Sequence, residues 1–370
     1  MKVAIVHFVL LYMSGAEKVL EALSEMYPDA DIFTHVYDPE NISDVINKHN
    51  IKTTFIQKLP FSNKLYKYYL PLMPLALEQL DLSGYDLVIS CESGPTKGIV
   101  PDPDALHICY CHSPMRYVWD RSHDYLKNKN GITRYFVKRM IHKLKIWDHS
   151  TSSRVDQFIA NSTFVSRRIM KYYRRDSIVL PPPVNTKLFK PANKIGDYYL
   201  WLGRFVPYKR PDIAVEAFNN SGKKLIMAGG IGEETRLIKG KAKDNITILG
   251  YQSFEAMQKL LSECKALIFP GIEDAGIIPV EAMASGRPVI AFNKGGVQST
   301  IIDGKTGILF NEQTSAALQK SVELFEEIEH SFNSKDLVQH AKQFDKESFI
   351  FTFKEIVNEQ LKSYLWKQLG

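Results

Sequence analysis

The 370-residue sequence has only four cysteines, Cys91, Cys109, Cys111 and Cys264, and none of them forms a C-x2-C pair. Cys109 and Cys111 lie two apart in one predicted strand, so their side chains share a face without disulfide geometry. We therefore expect core thiols in a reducing compartment.

Long apolar runs are also absent. No stretch of about 18 consecutive apolar residues occurs, which is the length that a membrane-spanning helix needs. The N-terminus, MKVAIVHFVLLYM, is interrupted by His7 and no small-residue cleavage site follows it, so it does not predict a signal peptide. The expectation is a cytoplasmic protein that does not cross a membrane.

No G-x-G-x-x-G fingerprint follows the first predicted strand, which leaves a nicotinamide cofactor with little support. The net charge of +6 is modest and mildly favours anionic partners such as nucleotides, lipid headgroups or nucleic acid. The length and the hydrophobic content of 45% suit two globular domains of about 180 residues each.

What the chain does contain is a regular alternation of apolar strands and helical segments, which predicts an α/β fold of parallel, doubly wound sheets. The triple proline Pro181-Pro182-Pro183 cannot continue a helix or a central strand, so it predicts a domain boundary. We expect domains at 1–183 and 184–345, then a helix over 346–370. The predicted strands are 3–9, 31–37, 53–57, 87–91, 106–111, 157–160, 178–180, 198–202, 224–228, 246–249, 266–269 and 307–310.

The most informative stretch is FPGIEDAGIIPVEAMASGRPVIAF, residues 269–292, which predicts a strand, a loop and a short helix. Pro279 suits the first helical position and Gly286 the position just past the end. Free N–H groups at Gly276, Ile277 and Ile278, with the positive end of the helix dipole, predict a phosphate site. Two carboxylates eight positions apart flank these groups, with Glu273 in the loop and Glu281 in the first helical turn.

Other polar residues are predicted at strand ends, where ligands bind on parallel sheets. Gly203, Arg204 and Lys209 follow one strand, so two cations can converge on one anion. Glu92 and His112 follow two strands of the first half.

These motifs resemble the retaining glycosyltransferase family 4, of GT-B fold. The resemblance is carried by the E-x7-E pair followed by AMASGRPVIA and Gly295-Gly296, by the G-R-x(4)-K pair, and by the linker-like PPPVNTKLFKP. It spans nearly the whole chain and implies two Rossmann-like domains that face each other across a cleft, with the helix at 346–370 crossing back onto the N-terminal domain. The string HSPMRYVWD resembles the subset of bacterial O-antigen mannosyltransferases.

The resemblance also implies roles. Arg204 and Lys209 neutralise the departing nucleoside diphosphate, Glu273 holds sugar hydroxyls, and Glu281 holds the ribose. In the N-terminal, acceptor-side domain, His112 contacts the donor sugar's hydroxymethyl group, and Gly15 lies near the donor diphosphate or the acceptor. The remaining implied residues line the acceptor side: Arg116, Trp119 and Asp120.

The implied reaction moves a hexose, with mannose from GDP-mannose favoured, to a lipid-linked or oligosaccharide acceptor in bacterial surface polysaccharide synthesis. The resemblance implies no metal, no cofactor and no nucleic acid partner, and no residue is assigned as a nucleophile or general base. Four alternatives stay open: a UDP-sugar donor, a catalytically silent nucleotide-sugar-binding protein, an epimerase or phosphorylase, and a metal-dependent enzyme using Asp102-Pro103-Asp104.

The family often has E-G-F-G where this chain has EDAG, and Asp274 adds a negative charge there.

Two basic, aromatic segments favour contact with an anionic membrane or a lipid-diphosphate acceptor. Residues 61–80, which follow Pro60, carry FSNKLYKYYLPLMPLALEQL, and residues 127–175 carry 13 Lys or Arg against only Asp148 and Asp156. A buried helical hairpin and a solvated helical face are the alternatives.

Overall fold

A computed structural model describes residues 1–92, 94–126, 130–232 and 234–369, with the backbone alone at Glu92, Asp124, Tyr125 and 365–369. The Glu92 side chain and the start of the basic segment at Lys127 therefore lie outside the described residues. The chain divides into two compact units, Met1–Pro182 with Phe349–Gly370, and Pro183–Ser348.

The first unit is built on a seven-stranded sheet in the order β3-β2-β1-β4-β5-β6-β7, in which all neighbours pair in parallel. Its strands are β1 (Val3–His7), β2 (Asp31–Thr34), β3 (Ile51–Thr53), β4 (Leu87–Glu92), β5 (Leu106–Cys111), β6 (Gln157–Ala160) and β7 (Ser177–Val179). Its helices are α1 (Gly15–Met26), α2 (Asp44–Asn47), α3 (Ser62–Leu65), α4 (Met73–Glu78), α5 (Ser122–Leu126), α6 (Gly131–Ser150) and α7 (Thr163–Tyr173). Every residue of β1 and β5 is buried, as expected for strands covered on both faces.

The second unit has a six-stranded parallel sheet in the order β10-β9-β8-β11-β12-β13. Its strands are β8 (Tyr199–Leu202), β9 (Leu225–Ala228), β10 (Ile246–Gly250), β11 (Leu267–Phe269), β12 (Val289–Phe292) and β13 (Gly307–Phe310). Its helices are α8 (Pro211–Ser221), α9 (Thr235–Lys241), α10 (Phe254–Glu263), α11 (Ile277–Ala284), α12 (Val297–Thr300), α13 (Ser315–Ile328) and α14 (Ser334–Ala341). The predicted fold class of two parallel α/β sheets is confirmed.

The last helix, α15 (Lys346–Leu369), packs onto the first unit. Phe349, Phe353, Ile356 and Val357 join the same apolar core as residues of β1, β4 and β5. Among the helices of the described ranges, none is both long and apolar enough to cross a bilayer.

Two local predictions are wrong. Residues 53–57 do not form a strand, because β3 ends at Thr53 and the Thr54 side chain accepts the Ile56 N–H, which caps a 3-10 helix at Phe55–Lys58. The helix expected to start at Pro279 starts at Ile277. Pro279 is therefore the third helical residue, where a missing N–H still costs no intrahelical hydrogen bond.

Candidate active site

In the second unit, the strand order reverses between β8 and β11, which lie side by side at the centre of the sheet. Ligands on open parallel sheets bind at such a switch point, beyond the carboxyl ends of the strands. The loop after β8 carries Arg204 and Lys209, and the loop after β11 carries Glu273. The two motifs singled out in the sequence therefore flank one switch point.

The side chain of Lys209 lies directly over the backbone of Gly203. A Cβ atom at Gly203 would lie 2.7 Å from Lys209 Cδ. Glycine has no Cβ, and for this reason the lysine side chain can approach the backbone so closely. Lys209 Nζ forms an ion pair with Glu273 Oε1, and the two side chains are only 12% and 21% exposed. The Ile272 N–H also donates to the Tyr208 carbonyl over 3.2 Å, so the two loops are joined by backbone as well as by charge.

The loop that carries Glu273 is held from its other side by Gly295 and Gly296. The Gly296 N–H donates to the Glu273 carbonyl over 2.8 Å, and a Cβ at Gly296 would lie 2.4 Å from the Ala275 carbonyl carbon. The loop then enters α11 through Gly276, which has a left-handed φ of 75°. The N–H groups of Gly276, Ile277 and Ile278 therefore begin a helix and have no intrahelical partner.

Glu281 lies in the second turn of α11, not in the first turn as expected, because the helix starts two residues earlier. Burial, followed by the nearby negative charge of Glu273, raises the pKa of Glu281 from 4.5 to about 7. Within the described ranges, no side chain donates a hydrogen bond to its carboxyl group. A buried carboxyl group with a raised pKa and no side-chain donor is typical of a binding site in which the ligand supplies the hydrogen-bond donor.

Arg204 differs from Lys209, because its side chain is exposed and forms no ion pair with any residue that the structure describes. Its Cγ would lie 3.4 Å from a Cβ built on Gly230, in the loop that follows β9. Among the residues that the structure describes, the site thus combines an ion-paired cation, Lys209, a cation without an ion pair, Arg204, and the N–H groups that begin α11.

In the first unit the strand order reverses between β1 and β4. His7, the last residue of β1, is buried, and its Nε2 lies 3.1 Å from Glu17 Oε1. Glu17 also accepts a hydrogen bond from the Ser14 N–H over 3.0 Å, which is the carboxylate half of a capping box at the start of α1, and a second one from the Ser14 hydroxyl. Gly15, expected near the donor diphosphate or the acceptor, is the first residue of this helix.

His112 follows β5 with its ring packed edge-on against Tyr110, at 5.1 Å between centroids. Burial, with a further contribution from His7, lowers the pKa of His112 to about 3, so its imidazole is neutral at physiological pH. Its Nε2 is buried and has no hydrogen-bond partner among the described atoms. A buried ring nitrogen without a partner is a candidate for a hydrogen bond to a ligand.

The residues expected on the acceptor side are held by other protein groups. Trp119 donates from Nε1 to Asp148 Oδ2 over 2.6 Å and stacks on Tyr172 at 4.7 Å. Asp120 accepts from Arg168 over 2.9 Å and lies 3.7 Å from the Nε of Arg116. The structure thus brings Arg116 and Asp120 together, and it ties Trp119 to the core.

Sequence reasoning missed two groups. His7 and Glu17 were not singled out, although Ser14 and Glu17 have the S-x-x-E spacing of a capping box. Lys97, which is fully buried and ion-paired with Asp148, had no recognisable signal because it is a single lysine between small residues.

Among residues 1–92, 94–126, 130–232 and 234–369, no three His, Cys, Asp or Glu side chains are grouped to hold an ion. The carboxylate of Asp102, in the D-x-D string, accepts the backbone N–H groups of Gly84 at 3.4 Å and Asp104 at 3.1 Å.

Comparisons with known proteins identify the family to which the two halves of the chain are similar. The family "Glycosyltransferase Family 4" matches residues 13–188, and "Glycosyl transferases group 1" matches residues 186–344. An alpha-1,3/1,6-mannosyltransferase of Dictyostelium discoideum is 28% identical over 65% of this chain and 66% of its own length. An uncharacterized glycosyltransferase of Methanocaldococcus jannaschii is 26% identical over 90% of both chains.

Among solved structures, the sucrose-phosphate synthase of Thermosynechococcus elongatus superposes with a TM-score of 0.73, at 18% identity, over 98% of this chain and 100% of that chain. This likeness supports the GT-B fold. The two family matches together run from residue 13 to residue 344. The chain therefore belongs to the group 1 glycosyltransferases of family 4, retaining enzymes of GT-B fold that transfer a sugar from a nucleotide-sugar donor.

Proposed function

We propose that this chain transfers a hexose, with mannose from GDP-mannose favoured, to a lipid-linked or oligosaccharide acceptor in bacterial surface polysaccharide (O-antigen) synthesis. The observation that carries sugar transfer is the grouping of Arg204, Lys209, Glu273 and the α11 N-terminus at one sheet switch point. Mannose is favoured by the HSPMRYVWD string and by the 28% identical mannosyltransferase of Dictyostelium.

In this proposal the donor diphosphate lies on the N–H groups of Gly276, Ile277 and Ile278 and between Arg204 and Lys209. Negative charge grows on the diphosphate as the sugar leaves, and fixed positive groups stabilise that charge without reorganising. A donor in the site gives Lys209 a second anionic partner besides Glu273. The Glu273 carboxylate then accepts hydrogen bonds from the sugar hydroxyls.

Glu281 accepts the ribose hydroxyls in the same proposal. Its pKa of about 7 means that about half of the free protein carries a proton on this carboxyl group at neutral pH. Because the ribose donates hydrogen bonds to the ionised form, donor binding releases that proton.

The first unit takes the acceptor, and the second unit takes the donor. His112 donates or accepts one hydrogen bond, as a neutral imidazole, at the hydroxymethyl group of the sugar. Gly15 lies near the diphosphate or the acceptor, and Arg116, Trp119 and Asp120 keep an acceptor-side role as positioning residues.

The reaction needs no metal, and the leaving phosphate takes the proton of the acceptor hydroxyl. The protein acts in the cytoplasm, at the inner face of the membrane.

Thermal shift with nucleotide sugars tests the donor. A ligand that binds only the folded state raises the midpoint by mass action, so GDP and GDP-mannose should raise it while UDP, ADP and dTDP conjugates do not, with or without chelator. If a UDP-sugar alone raises the unfolding midpoint, the donor is that UDP-sugar and not GDP-mannose. A shift without any sugar transfer or donor hydrolysis would leave a silent binding protein. No shift by any nucleotide would refute the site.

A further inference from the structure

Helix α6 exposes an apolar face that is separate from its core face. Ile132, Tyr135, Phe136 and Ile146 follow one another at helical spacing, and all four are exposed, from 55% at Tyr135 to 78% at Ile132. The core face of the same helix is formed by other residues: Ile141, Leu144 and Asp148 are buried. The exposed face is therefore not needed to hold α6 on its own unit.

A neighbouring segment, residues 58–75, continues this face. It exposes Phe61 by 76% and Tyr68 by 77%, together with Leu72 and Leu75. A groove of about 870 Å³ separates the segment from α6. The groove is lined mainly by apolar and basic residues, among them Pro71, Pro74, Tyr135, Phe136, Arg139 and Lys143.

The charges around this face are mostly positive, and Glu78 at its edge, which accepts a hydrogen bond from Trp147 over 3.0 Å, is already ion-paired with Arg154. The exposed cations are Lys58, Lys64, Lys67, Arg134, Lys138, Arg139 and Lys143. No Asp or Glu occurs in residues 58–77, and the only one in residues 131–150 is Asp148, which is fully buried against Lys97. We call α6 and residues 58–75 together the basic-apolar surface.

We propose that the basic-apolar surface docks on an anionic lipid bilayer. This inference rests on the proposed function in one respect, because a lipid-linked acceptor would be presented at such a membrane. Helix α6 lies in the plane of the interface, with Ile132 and Phe136 in the boundary between headgroups and acyl chains. Arg139 and Lys143, on the same helical face, extend their cationic ends to the lipid phosphates.

Other occupants fit less well. A second copy of this chain would bring two cationic surfaces together without carboxylates to compensate them. Nucleic acid would use the cations, but it would leave the aliphatic side chains Ile132, Ile146, Leu72 and Leu75 without a partner. An anionic bilayer satisfies both the charge and the apolar exposure.

Vesicle co-sedimentation of the full chain, without donor or acceptor, tests this inference. We expect binding to phosphatidylcholine vesicles that contain phosphatidylglycerol, weak binding to phosphatidylcholine alone, and a loss of binding at high salt. The double variant Arg139→Gln with Lys143→Gln should bind about 25-fold more weakly, at roughly fivefold per cation removed. Ile132→Ser with Phe136→Ser should lower binding at least tenfold.

A matched control uses two other apolar side chains of the same types. Ile231 and Phe351 are 81% and 68% exposed, against 78% and 65% for Ile132 and Phe136. Ile231→Ser with Phe351→Ser should bind vesicles as the wild type does. Equal losses in both double variants, or no vesicle binding by the wild type, would overturn the inference. So would a concentration-dependent dimer that Ile132→Ser with Phe136→Ser abolishes.

Vesicle binding separates this inference from the proposed function. Transfer to a water-soluble acceptor should be unchanged in Ile132→Ser with Phe136→Ser, and the circular dichroism spectrum of the variant should match that of the wild type. Vesicle binding without any sugar transfer would support the surface and count against the enzyme. Sugar transfer without vesicle binding would support the enzyme and count against the membrane-docking surface.

Discussion

Replacing Glu281 with Gln should stabilise the protein at alkaline pH. The folded chain raises the pKa of Glu281 from 4.5 to about 7, by burial and then by the charge of Glu273. The unfolded chain therefore releases this proton near pH 4.5, whereas the folded chain keeps it until about pH 7. Since the folded state binds more protons between these values, the free energy of unfolding falls as the pH rises through this window.

The size of the effect follows from the shift. Ionisation of Glu281 costs the folded state below about 1 kcal/mol at pH 5 and about 3 kcal/mol at pH 8 and above. Gln has nearly the same shape and never ionises, so Glu281→Gln removes this cost. For a unit of this size, about 3 kcal/mol corresponds to a rise in Tm of roughly 6–12 °C.

The assay is thermal unfolding of the wild type and Glu281→Gln at pH 5 and pH 8, without nucleotide. Glu312→Gln, at an exposed position of the same unit, controls for the loss of one negative charge. The gain from Glu281→Gln should be clearly larger at pH 8 than at pH 5, and the variant should bind the donor more weakly. An equal Tm difference at both pH values would refute the argument that Glu281 is held in an unfavourable setting.

Three further predictions concern the reaction. Donor affinity, measured by calorimetry with the intact sugar nucleotide, should be about tenfold weaker at pH 6 than at pH 8, because binding must displace the Glu281 proton; a flat profile would contradict this. Lys209→Met should lower kcat at least 100-fold while the protein stays folded, and a variant that is merely unfolded would favour a structural role. His112→Ala should leave nucleoside diphosphate affinity within about twofold and slow transfer at least tenfold, so full activity would make His112 structural.

Residue patterns predicted most of the fold, since buried parallel strands are continuous apolar runs that glycine, proline or polar residues end. The strand at 53–57 was wrong because a threonine side chain can cap a turn as readily as it can join a strand, and the sequence does not distinguish the two. The helix start was placed two residues late, because proline suits any position of the first turn that needs no N–H donor.

In the site, the sequence indicated which residues follow strands but not what they contact. The Lys209–Glu273 ion pair joins residues 64 positions apart, and it exists because β8 and β11 are neighbours in the sheet. The Nε2 of His112, which has no hydrogen-bond partner in the part of the chain that the structure describes, likewise depends on how β1, α1 and β5 pack, and one sequence does not disclose that packing.

The packing of α15 bears on the order in which the chain can fold. The first unit includes Met1–Pro182, yet its apolar core also includes Phe349, Phe353, Ile356 and Val357, which the ribosome makes after the second unit. The second unit is one continuous segment, Pro183–Ser348, and all of it has been synthesised before those residues appear. During synthesis the second unit can therefore complete its core first, while the apolar surface beneath α15 stays open to water and to chaperones.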